Sequence, residues 1–164
     1  MIEVQDSPGP VPSDATPEVG VVLVGHGRTA SELLEAARGI VGPDALAGVI
    51  DIDAGFGETP RLGKELCDVL ERADHGAGVL VLVDLWGASP CTCAQVNAGD
   101  HVLVTLSGLN LAMLLKLAAL DRNALGPEQL AQACADSGRR AVHVQTQTPQ
   151  TQTPPAGRSQ ESGT

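Results

Sequence analysis

Residues 78–84 read GVLVLVD: five consecutive branched apolar side chains, bounded by a glycine and an aspartate. The run is too short and too uniformly apolar for a surface helix, which shows polar residues every three or four positions. It has the pattern of a strand buried on both faces, as in a parallel sheet. The same pattern recurs upstream in VGVVLVG (19–25) and AGVIDID (47–53), and downstream in HVLVTLS (101–107) and RRAVHVQ (139–145). Helical signals fill the gaps between these runs. Thr29-Ala-Ser-Glu32 matches a capping box, opening a helix that should end near Gly39 or before Pro43. Thr59-Pro60 reads as an N-cap followed by a first-turn proline. Beyond it, Leu62, Leu66, Val69 and Leu70 form one apolar stripe through to Ala73. The turn LWGASP (85–90) leads into a short helix to about Ala98. Asn110 caps an apolar helix reaching Leu120, and Gly126-Pro127 opens a last helix that closes near Gly138. Strict alternation of strand and helix predicts an α/β fold, a doubly wound and mainly parallel sheet with helices on both faces.

The ends of the chain have a different composition. Of 164 residues, 20 are acidic and 10 basic, for a net charge of −10. Residues 1–18 hold four of the acids and no base, and seven of the 11 prolines lie in the two ends. QTQTPQTQTPP (145–155) is low-complexity with nothing apolar to bury, so it reads as disordered. The reading is an acidic extension over 1–18, one folded domain over 19–145 (about 127 residues), and a disordered Thr/Gln/Pro-rich tail over 146–164. Phe56 and Trp86 are the only aromatics, so the core is expected to consist of Val, Leu, Ile and Ala. The acidity and the lack of stacking platforms argue against nucleic acid as a partner. No apolar run approaches the 18 or so residues of a membrane span. No Lys or Arg precedes Arg28, so the basic region of a secretory signal is missing. Four cysteines in a chain this long do not form a disulfide framework, and a cytoplasmic setting is expected.

In open parallel sheets, ligands sit beyond the carboxyl ends of the strands, where the strand order reverses. Sorted by that rule, His26 follows strand one between Gly25 and Gly27, Asp53 ends strand two, and Asp84 ends strand three with Ser89 shortly after. Ser107 and Asn110 follow strand four. A carboxylate bonded to one ring nitrogen of His26 would leave the other as a lone-pair nucleophile. The backbone amides of Gly87, Ala88 and Ser89, at a helix start, could hold an anion such as a phosphoryl group. From spacing alone, His26 as a polar loop residue and Asp84 as a helix cap is an equally good reading. Gly25-x-Gly27 lacks the third glycine of a dinucleotide fingerprint and the lysine of a P-loop, which disfavours a nucleotide site.

The blocks VVLVGHGRTASELLEAARGIVG (21–42), LVLVDLWGASP (80–90) and SGLNLAMLL (107–115) resemble the three signature blocks of the mannose-type (mannose/fructose/sorbose) IIA domain. That family belongs to the bacterial phosphoenolpyruvate-dependent sugar phosphotransferase system. The resemblance covers residues 19–145 and implies a sheet of order 2-1-3-4. It implies that His26 accepts a phosphoryl group from the phosphocarrier protein HPr and passes it to a IIB partner on a separate chain, serving membrane IIC and IID subunits indirectly. Asp84 would orient the imidazole, and Ser89 would help to bind the phosphoryl group. Arg28, Trp86 and Asn110 would stand at the rim. No cofactor and no metal is implied. Relatives form homodimers by exchanging a terminal strand, which RRAVHVQ would be here. The family usually has Asn at the position of Thr92 and Pro at that of Ala112, and its chains usually start almost at strand one.

The remaining candidates read as structural. Cys91-x-Cys93 lacks the spacing of a zinc site. Cys67 and Cys134 lie on apolar helix sides. His75, His101 and His143 belong to a turn, the far end of strand four, and strand five. A regulatory module, in which the phosphorylation state of His26 controls partner binding, uses the same site chemistry as a sugar-uptake component. The phosphotransfer subunit of dihydroxyacetone kinase ranks last, because its corresponding loops differ from DLWGASP.

Overall fold

Strand character in the runs of Val and Leu follows from side chains that are apolar at every position, and such a strand must be covered on both sides. A computed structural model describes residues 17–56, 60–87 and 102–147. In it, β1 (Gly20–Gly25) and β3 (Val79–Val83) are buried along their whole length. They pair in parallel, Gly20 opposite Val79 through Val24 opposite Val83. β2 (Ile50–Asp53) flanks β1 and β4 (Leu103–Ser107) flanks β3, both also parallel. The four-stranded sheet has the order 2-1-3-4, as the resemblance implies. The reversal of order falls between β1 and β3.

Alternate side chains of the two central strands enter different layers. Val21, Leu23, Leu80 and Leu82 pack with Ala30, Leu34 and Ala37 of α1 (Thr29–Val41). The same layer takes Met113, Leu114 and Leu117 of α3 (Leu111–Ala118), and Leu130, Ala131 and Cys134 of α4 (Pro127–Arg140). On the opposite face Val22, Val24, Val79, Val81 and Val83 meet Leu66, Val69, Leu70 and Ala73 of α2 (Pro60–Ala73). The core is aliphatic, and no described polar side chain is buried in it. Burial pushes the Cys134 thiol up to about 11, with the charge of Lys116 pulling weakly the other way. Cys134 therefore stays protonated and packs as a small apolar group. No described helix is long and apolar enough to cross a membrane.

Several expectations change. β2 is shorter than AGVIDID, because Pro43–Leu46 forms a 3-10 turn and the amides of Ala47 and Val49 bond back to Asp44 and Leu46. The last helix closes near Gly138 as expected, running two residues further to Arg140, where two arginines complement its negative C-terminal end. Gly138 is inside the helix because a Cβ there would meet Met113 Cε at 2.5 Å and Asn110 Nδ2 at 2.9 Å. Its hydrogen atom lets α4 lie close against α3. The fifth strand, RRAVHVQ, is absent: Arg139 and Arg140 finish α4, and residues 141–147 are exposed with no strand structure. The alternation of Val142 and Val144 suits a sheet edge, and within this chain residues 141–147 pair with none. Asn110 does cap α3, its side-chain oxygen accepting from Met113 N at 3.2 Å. The expected helix to Ala98, with Thr92, Cys91 and Cys93, lies outside the described residues, as do Thr59 and His101.

Leu80 is fully buried at the centre of the larger layer. Leu80→Ala should cost roughly 2–5 kcal/mol of stability through lost transfer energy and the cavity left behind. Urea unfolding is the check, with an unchanged m-value and a lower midpoint.

Candidate functional site

Parallel pairing of β1 with β3 brings the segments that follow Val24 and Val83 side by side, and each carries a polar residue. His26 and Asp84, 58 positions apart, meet there. Oδ2 of Asp84 accepts the main-chain N–H of His26 at 2.7 Å. The ring Nδ1 of His26 lies 3.0 Å from Oδ1 and 3.1 Å from Oδ2 of the same carboxylate. An ionised carboxylate only accepts, so Nδ1 carries the hydrogen and Nε2 keeps its lone pair. The His26 side chain is 44% exposed and that of Asp84 17%. A half-exposed imidazole is thus held by an acid largely withdrawn from water.

Burial alone would push the Asp84 carboxyl up. The hydrogen bonds from the His26 main chain and ring, the attraction of that ring whenever it carries a second proton, and the N–H of Leu85 outweigh it and hold the group below its ordinary value.

The loop that presents His26 is fastened on every side. Its carbonyl accepts both the hydroxyl of Thr29 at 2.7 Å and the amide of Thr29 at 3.0 Å. Asp84 N donates to Val24 O at 3.2 Å, Ala54 N to Gly25 O at 2.8 Å, and Gly27 N to Gly55 O at 2.8 Å. These bonds zip the loops after β1, β2 and β3 together beyond the ends of the strands. Gly27 has φ +58°, and a Cβ there would come within 2.7 Å of the tip of the Phe56 ring. The ring of Phe56 therefore stands directly on the residue that follows His26.

The capping box expected at Thr29 does not form. Arg28 is the N-cap residue and Thr29 the first residue of the helix, and the N-cap makes no side-chain cap bond. The cap comes from another strand instead. Asp53 accepts the amide of Ser31 at 3.1 Å and its hydroxyl at 2.6 Å, placing a negative charge at the positive end of α1. Position at a strand end singled out Asp53 in the sequence, but its bonding partner could not be read there. Phe56 carried no signal beyond its rarity.

Three expected rim residues stand at this edge with different engagements. Arg28 is exposed and pairs with Glu32, one turn along the helix, at 2.7 Å. Asn110 spends its side chain capping α3, and its Nδ2 donates to Gly108 O at 3.2 Å. Trp86 is exposed beside Asp84. Of the expected phosphoryl-binding amides, Gly87 is exposed with φ +88°; Ala88 and Ser89 lie outside the described residues. His75 and His143 are exposed.

Comparison with known proteins follows the same lines. A family model described as "PTS system fructose IIA component" matches residues 20–134. The chain belongs to this mannose-type IIA family. It is 29% identical over 140 residues to the PTS system mannose-specific EIIAB component of Escherichia coli K12, a match covering 84% of this chain and 43% of that protein. The chain thus corresponds to less than half the length of that curated relative. Among solved structures, the mannose/sorbose specific IIA subunit of the phosphotransferase system from Enterococcus faecalis is similar, with a TM-score of 0.66 and 29% identity, over 82% of this chain and 99% of that one. The phosphotransferase system component EIIA from Streptococcus agalactiae shares the fold at a TM-score of 0.63 and 23% identity, over 77% of this chain and 96% of that one.

The Asp84 carboxyl binds its proton more weakly in the folded chain than in the unfolded one. Its contribution to stability is therefore full above the ordinary carboxylate pKa of about 3.9 and is lost as pH falls through the lower folded value. Wild type should lose stability relative to Asp84→Asn as pH falls below about 4. Urea midpoints of both proteins across that range would test this, and parallel curves would refute it.

Proposed function

We propose that this IIA chain is a phosphocarrier in which Nε2 of His26 accepts a phosphoryl group from phospho-HPr and passes it to a IIB domain. The observation that carries the reading is the double engagement of Asp84 with the main chain and Nδ1 of His26. It leaves Nε2 as the one ring atom with a lone pair, and that atom belongs to a half-exposed side chain. In the transfer, the phosphorus–nitrogen bond of the donor histidine breaks as a bond forms between phosphorus and Nε2. The donor ring leaves with its electron pair. The imidazolium character that develops on His26 is offset by the ionised Asp84 through Nδ1–H. Positioning and electrostatics supply the catalysis, since the nucleophile needs no deprotonation. The fastened loop keeps the ring from swinging off line. Amides of the turn Gly87, Ala88 and Ser89 would take the phosphoryl oxygens. The cytoplasm, where such donors are found, is the compartment that fits this role.

Incubation with labelled phosphoenolpyruvate, enzyme I and HPr tests the reading. The expected product is an acid-labile, base-stable phosphate on the chain, absent in His26→Ala and formed more slowly in Asp84→Asn. Labelling that survives in His26→Ala overturns the assignment.

We also infer a homodimer, in which residues 141–147 add to the sheet of a second copy. The support is the alternating, fully presented Val142 and Val144, together with β4, whose described ladder pairs run to β3 on one side. A strand edge without a partner among the described residues, beside a strand-like segment that pairs with none of them, favours exchange between two molecules. Light scattering should give twice the chain mass for the whole protein and the monomer mass for a chain ending at Arg140. A monomeric whole protein would refute the exchange.

A further inference from the structure

The chain contains two aromatic residues: Phe56 rests on Gly27, which follows His26, and Trp86 lies two residues after Asp84, the carboxylate that holds His26. The sheet order 2-1-3 sets the loop after β2 on one side of the His26 loop and the loop after β3 on the other. Phe56 belongs to the first, and Leu85 and Trp86 to the second. Their exposures are 94%, 63% and 68%, among the highest of the large apolar side chains. None belongs to the aliphatic core, and the ring tip of Phe56 rests on Gly27. Apolar side chains this exposed cannot enclose a small molecule, which ordinarily buries about 70–90% of its surface in a pocket. They can be covered by the surface of another protein, where aromatic anchors supply much of the affinity.

We propose that Phe56 is a specificity-determining anchor for the protein that donates the phosphoryl group, pressed against that donor when its phosphohistidine approaches Nε2 of His26. This rests on the reading of His26 as the phosphoryl acceptor. The bonds Gly27 N to Gly55 O and Ala54 N to Gly25 O hold the Phe56 loop at a constant distance from the ring, so an apolar contact on Phe56 also sets the approach to His26. The net charge of −10 favours a donor with basic residues around its apolar contact, drawn in by long-range attraction. Phe56 is a positioning contact and takes no part in bond making.

Charging of the full-length chain tests this, with HPr charged by enzyme I over a range of HPr concentrations and with phosphoramidate as a small donor that needs no docking. Phe56→Ala should raise the KM for phospho-HPr about tenfold, leave kcat within about twofold, and leave the phosphoramidate rate unchanged. Phe56→Leu should recover part of the loss. An unchanged KM, or a defect confined to discharge onto a IIB acceptor, overturns the anchor while leaving the acceptor role of His26 intact. An equal loss with phosphoramidate also overturns it, because the effect would then run through Gly27 to His26 itself. Wild type that phosphoramidate labels at His26 but phospho-HPr does not removes the donor reading, and the anchor with it.

Discussion

The carboxylate of Asp84 closes the two central strands at the same end. It accepts the main-chain N–H and the ring of one residue, His26, so it is at once a continuation of the sheet and a constraint on a side chain. Only parallel pairing of β1 with β3 in the register Val24 opposite Val83 makes this possible. That register is strongly specified, because a slip of one residue would exchange the inward sets of both faces at once. The reactive edge is therefore a consequence of the packed interior. Valines and leucines 21 to 24 and 79 to 83 decide where an imidazole and a carboxylate meet.

The same edge shows how a loop can be exposed and still held in place. Between β1 and α1 there are few residues to carry order, yet His26 is fixed through its nitrogen, its carbonyl and its ring. Asp53 contributes from the neighbouring strand by capping α1, and Gly55 by bridging to Gly27. The partners come from α1 and from the ends of β2 and β3, so the arrangement exists only when the sheet is assembled. Preorganised contacts of this kind hold a side chain in place without enclosing it, which suits the proposed approach of a donor protein to His26.

Much of this was legible in particular residues. The run VLVLV could be little other than a buried strand, and its repetition in VVLV fixed the parallel class. The aspartate after one run and the histidine after the other marked the switch point. The cap of α3 by Asn110 followed from residue type and place. Other local signals were misleading. Thr29 and Glu32 have capping-box spacing, yet Arg28 is the N-cap and Glu32 pairs with it, while an aspartate 22 positions away from Ser31 supplies the cap. RRAVHVQ alternates like a strand, but a strand needs a neighbour, and its first two residues complete a helix instead.

The sequence by itself determined the layer architecture, the identity of the core and the pair of residues at the centre of the site. These depend on side-chain periodicity and on which residues end each strand, and both are local properties. Tertiary structure decided which nitrogen of His26 is left open, which carboxylate caps α1, and that Phe56 stands on Gly27. Those contacts join segments separated by tens of residues, and their geometry is set by sheet order and register. A strand-like segment such as 141–147, likewise, cannot be resolved locally, because pairing is a property of two edges and the sequence shows one.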